Sequence, residues 1–422
     1  QLQQQQQQQQ DQGERQGMTP KVDASDSSAA TGDAPGIWTM PNGIQLFYFS
    51  GSTTQHGNQP PPPNQTNRKS GAEMTTHSAI LCMHGGPAIA PAVPWKLFDA
   101  IAKDDAVADE IYLYHARGCG KSTRPFSKFP TPGMWPGMKI LEKELGIGAQ
   151  LADVERIRKD KLKVEKLHLV AHSFGGFLAT MYAAEFPSHV ASLTLMVPAA
   201  VLQLPAKDPS KSGDIFKMIR SKLVAISQRS NVDAEGEGGD DGNTDASSGA
   251  PPRVAILDEF DAFMKQYLDF GSLPKETDET LGQRQCDFCR HYYRADFDGD
   301  EAKVNAAMEK VDKSMIGGMA CFAAFMSMGM EHDYIPECRR RLSKAAFPVT
   351  IVHGGQDMIP EHTSRQYMGI FPPTITEASG DRSSCRSPRF HLIPDVGHEL
   401  FDHPDMVKIV LDTMKTAEVL NA

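Results

Sequence analysis

Short apolar runs separated by helix-length stretches mark the middle of the chain. Each run has the length of a buried strand. The runs are residues 79–83, 111–114, 167–171, 191–196 and 348–352. Between the second and third runs, apolar residues recur at helical spacing from Ile147 to Ile157. Strands that alternate with helices predict the α/β class, with a mostly parallel sheet flanked by helices.

The alternation lapses between the fourth and fifth runs. Residues 198–346 show mainly helical patterns, and an acidic stretch rich in Gly, Ser and Asp interrupts them at 231–252. A helical insertion between two halves of a parallel sheet is typical of a cap domain. We therefore expect a core formed by residues 37–197 and 347–422, an inserted helical cap at 198–346, and a disordered loop at 231–252.

The ends of the chain have different patterns. Residues 1–36 are rich first in Gln and then in Ser, Ala, Gly and Asp, and they are expected to be disordered because they cannot bury enough apolar surface. A pair of strands follows, joined by a turn at residues 41–43, and then a long exposed loop at 50–76. Residues 404–420 have the amphipathic pattern of a final helix.

Charge and cysteine content narrow the classes of partner. A net charge of -10 argues against a nucleic-acid partner, because phosphate binding needs a basic surface. Seven cysteines in 422 residues are too few and too scattered for a disulfide framework, which favours a reducing, cytoplasmic compartment. Cys286 and Cys289 form an isolated Cys-x-x-Cys pair without the further ligands of a zinc site. We expect no metal and no organic cofactor.

Membrane segments are not indicated by the hydropathy pattern. No apolar run reaches the roughly 20 residues that span a bilayer, and no basic stretch followed by an apolar core occurs near the N-terminus. We therefore expect no membrane partner. Because the chain begins with Gln1 rather than Met, this expectation does not extend to an upstream segment. The sequence leaves the oligomeric state open.

The sharpest chemical pattern is the segment Ala-His-Ser-Phe-Gly-Gly at residues 171–176. It directly follows the third apolar run and opens a helical stretch, which is the context of a strained turn that exposes a serine hydroxyl. Small residues, Ala171 and Gly175, stand two positions before and after the serine because larger ones would clash in such a turn. The pattern predicts Ser173 as a nucleophile and the backbone N–H of Phe174 as an oxyanion donor. The alternative is that this segment is an ordinary turn in which the pattern occurs by chance.

A serine nucleophile needs a base that is oriented by an acid, in the chain order Ser, Asp or Glu, His. Asp357 follows the fifth apolar run, and His398 precedes the final helix, so they are the predicted acid and base. His172 is expected to be a packing residue. Asp395 and Asp402 lie near His398, but neither follows a predicted strand.

A second glycine-rich loop, His-Gly-Gly-Pro-Ala at residues 84–88, follows the first apolar run. Glycines let a backbone N–H approach a substrate carbonyl closely, so this loop is expected to supply the second oxyanion donor. Gly86 is the predicted donor, and Gly85 is the alternative. A plain Gly-Pro turn without this role is the remaining possibility.

Together these motifs resemble the proline iminopeptidase (prolyl aminopeptidase) family of α/β-hydrolases. That family carries H-G-G-P-G, D-x-R-G-x-G-x-S and G-G-S-W-G-G, then a late H-G-x-x-D and G-H. The corresponding segments here are residues 84–88, 115–122, 171–176, 353–357 and 397–398. The resemblance covers residues 38–197 and 347 to the end. It implies an α/β-hydrolase fold and an aminopeptidase that releases N-terminal proline or a small residue from small peptides or amides.

The resemblance weakens where the family recognises its substrate. His115 stands where the family has Asp, and Phe174 where it usually has Trp. Glu331 begins a stretch similar to the family's E-x-H-Y-F, which implies that it binds the α-amino group of a substrate. The family's Trp-Glu stretch has no counterpart in the predicted cap. A carboxylesterase with an apolar acyl pocket is therefore the first alternative, and a ligand-binding protein without turnover is the second.

A methionine-rich stretch at residues 315–330 also contains Phe322 and Phe325. Flexible thioether side chains are suited to an adaptable apolar substrate pocket. The alternative is that these residues form the core of the cap.

Overall fold

The computed structural model describes most of the chain. The described residues are 36–51, 78–104, 110–205, 214–236, 254–329, 331–372 and 388–421. The predicted disordered segment before Gly36, the predicted exposed loop after Gly51, and residues 237–252 of the predicted acidic loop lie outside the described residues.

Ten strands form two sheets in the described part of the chain. They are β1 Gly36–Thr39, β2 Gln45–Gly51, β3 Ala79–Met83, β4 Ile111–Tyr114, β5 Leu167–His172, β6 Val190–Met196, β7 Gln203–Leu204, β8 His332–Asp333, β9 Val349–Gly354 and β10 Arg389–Ile393. The larger sheet has the order β1-β2-β4-β3-β5-β6-β9-β10. β2 is antiparallel to both β1 and β4, and all other pairs in this sheet are parallel.

The helices are interleaved with these strands. They are α1 Lys96–Ala102, α2 Met134–Leu145, α3 Ile147–Arg156, α4 Phe174–Glu185, α5 Ile215–Gly236, α6 Val254–Tyr267, α7 Asp278–Asp296, α8 Glu301–Met308, α9 Gly318–Met328, α10 Ile335–Leu342, α11 Glu361–Met368 and α12 Pro404–Asn421. A π-helical segment, Ile157–Leu162, continues α3, and short 3₁₀ turns occupy Pro187–His189, Phe270–Lys275 and Lys313–Met315.

Both faces of the large sheet are buried. Along β3, Leu81 and Met83 belong to one apolar cluster, whereas Ile80 and Cys82 belong to another. This alternation follows from the two-residue period of a strand. The first cluster includes the buried face of α4, and the second includes the buried faces of α1 and α12. The predicted parallel sheet with helices on both faces is thus confirmed.

The segment between β6 and β9 is mainly helical and contains α5 to α10. Some of its apolar residues form a separate cluster, in which Ile219 and Leu223 of α5 join Phe260 of α6 and Phe288 of α7, whereas the buried residues of α9 belong to the main core. β7 and β8 pair antiparallel within the same segment. The arrangement agrees with the predicted helical insertion, while its exact limits as a separate cap domain stay a prediction.

Two details differ from the sequence-based expectations. α5 runs to Gly236, so residues 231–236 of the predicted disordered loop are helical. A helix that has already formed extends at low cost, because each further residue adds one hydrogen bond. The second detail is β10, which no apolar run predicted. It lies at the edge of the sheet, and Arg389, His391 and Leu392 are exposed.

Candidate active site

Ser173 occupies the sharp turn between β5 and α4, as predicted. Its backbone has φ 51 and ψ -120, a conformation that non-glycine residues rarely adopt. The N–H of Ser173 donates to the carbonyl of Met196 at 2.9 Å, and its carbonyl accepts from the N–H groups of Gly176 and Ala199, each at 2.9 Å. Because both sides of the residue are held, the strained backbone persists and the side chain is presented to a cavity.

The predicted oxyanion donors lie beside this turn. Phe174 is the first residue of α4, so its N–H has no partner within the helix. Gly86 has φ +124, and a Cβ on Gly85 would lie 2.9 Å from Cβ of Ser173. Side chains are therefore excluded from the loop where it meets the serine. Gly85, Gly86 and Phe174 all line the cavity that Ser173 lines.

His84 fixes the glycine loop. Burial lowers its pKa to about 4, so the ring is neutral and carries one hydrogen. Nε2 lies 3.1 Å from the backbone N–H of Ala116 and accepts from it. The hydrogen is therefore on Nδ1, which donates to the carbonyl of Gly85 at 2.9 Å. Ala116 lies in the connection that follows β4, so the hydrogen bonds of His84 tie the glycine loop at residues 84–88 to that connection.

Asp357 and His398 are brought together by the ends of β9 and β10. Oδ2 of Asp357 lies 2.7 Å from Nδ1 of His398, and Oδ1 accepts from the N–H of Ile359 at 2.7 Å. The Asp357 side chain has 0% exposure. A carboxylate can only accept, so Nδ1 of His398 carries the hydrogen, and Nε2 of the neutral ring is left as the basic nitrogen.

The pKa values of this pair move in the directions that suit an acid-oriented base. Burial acts to raise the pKa of Asp357, but the His398 ring and the N–H of Ile359 outweigh it and hold the pKa below its usual range. Burial acts to lower the pKa of His398, but the Asp357 carboxylate outweighs it and raises the pKa above its ordinary value. A charged Asp357 beside His398 stabilises an imidazolium.

The other acids near His398 have different partners. Asp402 forms an exposed ion pair with Lys96 at 2.7 Å. Asp395 follows β10, the strand that the sequence did not reveal, but its exposed carboxylate lies 3.6 Å from Nε2 of His403. Of these acids, the described contacts place only Asp357 against the His398 ring.

His172 contributes more than packing. Burial lowers its pKa to about 3, and the ring is neutral. Nε2 lies 2.9 Å from the backbone carbonyl of His398, so the ring donates its hydrogen there. The two imidazole centroids are 4.8 Å apart. The residue before Ser173 thus holds the backbone of the predicted base, which the sequence did not indicate.

The cavity in front of these groups has a volume of about 620 Å³. This lies within the usual range of ligand pockets, roughly 300–1,000 Å³. Most of its wall is apolar, and the larger apolar side chains include Ile89, Trp95, Met218, Phe288, Phe325 and Phe401. Such a wall is suited to a hydrocarbon group.

One face of α7 lines the cavity opposite the sheet. It presents Gln285, Phe288, Cys289, Tyr292, Tyr293 and Asp296. The sequence-based interpretation did not identify this wall, and the signal for it is the spacing of three and four residues, which is that of one helical stripe. The hydroxyl of Tyr292 donates to Oδ1 of Asp357 at 3.4 Å. Burial, and then the nearby Asp357, raise the pKa of Asp296 to about 6.

Glu331 is not brought to this site. It is exposed, and it is not among the residues that line the cavity. An amine-binding role requires a carboxylate at the cavity, and the carboxylates that line it are those of Asp296, Asp312 and Glu399. Of the methionine-rich stretch, Phe325 lines the cavity, whereas Met315, Met319 and Met328 are buried in the main core. These methionines therefore belong to the main core and not to the separate cluster of α5, α6 and α7.

Among the described residues, no group of three or more His, Cys, Asp or Glu side chains is arranged to hold a metal ion. None of the helices in the described ranges is long and apolar enough to cross a bilayer.

Sequence comparison connects the first half of the core with known proteins. Residues 78–225 match the family described as alpha/beta hydrolase fold. The protein abhd-5.2 of Caenorhabditis elegans, which contains an abhydrolase domain, is 34% identical over 121 residues, or 28% of this chain and 23% of that protein. A proline iminopeptidase of Heyndrickxia coagulans is 28% identical over 133 residues, or 32% of this chain and 39% of that protein. The match thus spans less than half the length of either relative.

Solved structures resemble the chain over more of its length. The proline iminopeptidase of Mycobacterium smegmatis covers 92% of this chain and 100% of its own, with 14% identity and a TM-score of 0.48. A thermophilic esterase from Thermogutta terrifontis covers 91% of this chain and 99% of its own, with 14% identity and a TM-score of 0.46. The family match and the strand order given above establish the α/β-hydrolase fold.

Proposed function

We propose that this α/β-hydrolase-fold protein is a serine hydrolase that cleaves esters with an apolar acyl group. The observation that carries the proposal is that a strained Ser173 and His398, which is paired with Asp357, line the same largely apolar cavity. Because Glu331 is exposed, we favour an ester substrate over the peptide substrate that the sequence favoured.

In the proposed reaction, Oγ of Ser173 attacks the ester carbonyl while Nε2 of His398 takes the hydroxyl proton. The carbonyl oxygen becomes an oxyanion that accepts from the N–H groups of Phe174 and Gly86. The C–O bond to the leaving alkoxide then breaks, and His398 returns the proton to it. Water repeats the sequence on the acyl-enzyme and releases the carboxylic acid, while Asp357 stabilises each imidazolium.

Labelling with a fluorophosphonate, together with a series of p-nitrophenyl esters of increasing acyl length, tests this proposal. We expect covalent labelling and a preference for longer acyl groups. Ser173→Ala should abolish labelling and lower kcat by about 10³-fold or more. Ser343→Ala, which changes an exposed serine, is the control. Labelling that persists in Ser173→Ala would refute the assigned nucleophile.

A second candidate, an aminopeptidase, is favoured by the carboxylate of Asp296 in the cavity wall. Some relatives of part of this chain are proline iminopeptidases. A buried carboxylate is the group that a substrate ammonium needs as partner. If this candidate is correct, Asp296→Asn should lower kcat/KM for aminoacyl amides roughly 10–100-fold more than for esters. Glu331→Gln is the matched control and should leave kcat/KM unchanged for both classes of substrate. No cleavage of aminoacyl amides would exclude this candidate.

A further inference from the structure

Two carboxylates lie beside His398 in addition to that of Asp357. They belong to Asp296, the last residue of α7, and to Glu399, and both residues line the cavity. Burial acts to lower the pKa of His398, whereas the Asp357 carboxylate acts to raise it. The carboxylates of Asp296 and Glu399 raise it further. Because such an effect requires proximity, both acids are close to the ring of the proposed base.

Asp296 has one carboxylate oxygen in use and one without a partner. Oδ1 accepts from the backbone N–H of Met358 at 3.0 Å. Oδ2 has no hydrogen-bond partner among the described residues, but it is not fully buried either. It lies 3.9 Å from the position that a Cβ on Gly397 would take, and Gly397 lines the cavity next to His398. A free carboxylate oxygen is therefore accessible in the cavity wall beside the proposed base.

Glu399 places a second carboxylate at the entrance of the cavity. The residue is exposed and also lines the cavity, so it lies where the cavity meets solvent. Its Oε1 accepts from the hydroxyl of Tyr293 at 3.3 Å, which orients the side chain. The ion pairs of the described residues include neither Asp296 nor Glu399. Two negative charges are therefore present here without a Lys or Arg partner.

Three aromatic rings complete this part of the wall. Tyr293 and Phe297 stack with their centroids 5.8 Å apart, and the Tyr292 ring meets the His398 ring at 5.6 Å. The face of an aromatic ring attracts a cation, most strongly where little water is present. We refer to this part of the cavity wall as the acidic corner, which is formed by Tyr292, Tyr293, Asp296, Phe297 and Glu399. Carboxylates next to aromatic rings are the groups that suit an organic cation.

The other charged residues of the cavity do not neutralise the acidic corner. Lys303 and Lys310 line the cavity from α8 and the turn after it, and both are exposed. Nζ of Lys303 pairs with Asp300 at 3.3 Å. Asp312, a third acid of the wall, accepts from the N–H of Ser314 at 2.8 Å. The charge of the acidic corner is therefore left for a ligand.

The position of the acidic corner decides which part of a substrate it meets. In the proposed reaction, Nε2 of His398 returns a proton to the leaving alkoxide, so the alcohol part of the ester lies next to the His398 ring. Asp296 and Tyr292 flank the same ring. The acyl part has the apolar remainder of the cavity, which includes Met218 and Phe325. A group bound at the acidic corner therefore belongs to the alcohol.

We propose that the acidic corner binds a positively charged group on the alcohol part of the substrate. The preferred substrates are then esters of an apolar acid with a cationic alcohol. This inference rests on the proposed hydrolase function. A neutral alcohol of the same shape leaves the carboxylates of Asp296 and Glu399 without a counter-charge, and the ester that carries it is bound less well.

The test compares hexanoylcholine with 3,3-dimethylbutyl hexanoate, a pair of esters that differ in one atom, the charged nitrogen or the neutral carbon of the alcohol. Titration of the released acid gives kcat/KM for both. We expect the wild type to prefer the choline ester by roughly 10–100-fold. Equal rates, or a preference for the neutral ester, overturn the proposal. Faster cleavage of aminoacyl amides than of the choline ester places the cation on the acyl side and also overturns it.

Variants locate the preference within the cavity. Asp296→Asn keeps an oxygen that can accept from Met358 but removes the charge, and it should lower the ratio of the two kcat/KM values by about 10-fold. Glu399→Gln should lower the ratio less, because Glu399 is exposed and water screens its charge. Asp395→Asn, which removes an exposed acid that does not line the cavity, is the control and should keep the wild-type ratio. A ratio that is unchanged in Asp296→Asn refutes the assigned site.

A binding measurement separates this inference from the hydrolase function. Calorimetric titration of the Ser173→Ala variant with each ester gives Kd without turnover. The choline ester should bind more tightly than the neutral ester, and the difference should shrink when Asp296→Asn is added. Hydrolysis of both esters at equal rates and with equal Kd refutes the acidic corner alone. Absence of hydrolysis with a retained difference in Kd refutes the hydrolase proposal and leaves the cation site in place.

Discussion

The two walls of the cavity are held by different forces. On the sheet side, Ser173, His84 and Asp357 are each fixed by hydrogen bonds of 2.7–3.1 Å to backbone or ring atoms. On the helical side, α7 presents three aromatic rings, those of Phe288, Tyr292 and Tyr293, and Phe288 packs in an apolar cluster with residues of α5 and α6. Hydrogen bonds fix direction, whereas apolar contacts fix only shape and volume.

This difference assigns separate tasks to the two walls. Reacting atoms must be placed within a fraction of an ångström, and directional bonds supply that precision. A substrate tail needs a cavity of the right size, which packed side chains can offer in many versions. We therefore expect substitutions on the sheet side to lower kcat and those on α7 to change substrate preference. The four predictions that follow test this division.

The largest effect is expected from Asp357→Asn. The amide keeps the shape of the side chain but removes the charge that sets the tautomer of His398. kcat should fall by about 10³–10⁴-fold, as for other catalytic triads. Steady-state hydrolysis of the best ester measures it, and an unchanged Tm shows that the fold is intact. A loss of less than about 10-fold would remove Asp357 from the triad.

The next effect is on the pH dependence of kcat/KM. The base must be neutral, and the Asp357 carboxylate raises the pKa of His398 above its ordinary value. Activity should therefore rise with pH to a midpoint above about 6.5, and it should fall about 10-fold per unit below the midpoint. In Asp357→Asn the residual activity should have a lower midpoint. A wild-type midpoint below the ordinary histidine value contradicts the assignment of the base.

His172→Phe should lower kcat roughly 10-fold with little change in KM. Phenylalanine keeps the contacts of the ring with Trp95 and Phe401 but cannot donate to the carbonyl of His398. His172→Gln places an amide donor in a similar position and should recover part of the loss. Equal activity of both variants, or a loss only in Tm, indicates that His172 does no more than pack.

The smallest effect is expected from Tyr292→Phe, about 2- to 5-fold on kcat. It removes a hydroxyl 3.4 Å from Oδ1 of Asp357 and leaves the aromatic ring that lines the cavity. Tyr292 is the residue of α7 that contacts Asp357. This variant therefore tests whether the helical wall and the sheet-side wall have separate tasks. A loss comparable to that of Asp357→Asn would show that the helical wall takes part in placing the reacting groups.

The sequence predicts the sheet side much better than the helical side. Ser173, Asp357 and His398 follow or adjoin core strands, and the short-range pattern around each marks a strand end. β10 was missed because an exposed edge strand lacks an apolar run. His172 was interpreted as a packing residue because its hydrogen-bond partner, the backbone of His398, lies far from it along the chain. Side-chain partners of this kind depend on packing, which local pattern does not encode.

The pairing of β6 with β9 has a consequence for how the helical segment can vary. Leu193 to Met196 lie opposite Val349 to Val352 in adjacent parallel strands, so the chain leaves the sheet at Met196 and re-enters it one strand along, at Val349 on the opposite edge. Between them, the helical segment is a loop whose ends are held together by the sheet. The entropy of closing such a loop rises only with the logarithm of its length, about 0.6 kcal/mol for each doubling. The segment that selects substrates can therefore lengthen or shorten at small energetic cost, while the strands that carry Ser173 and Asp357 stay paired.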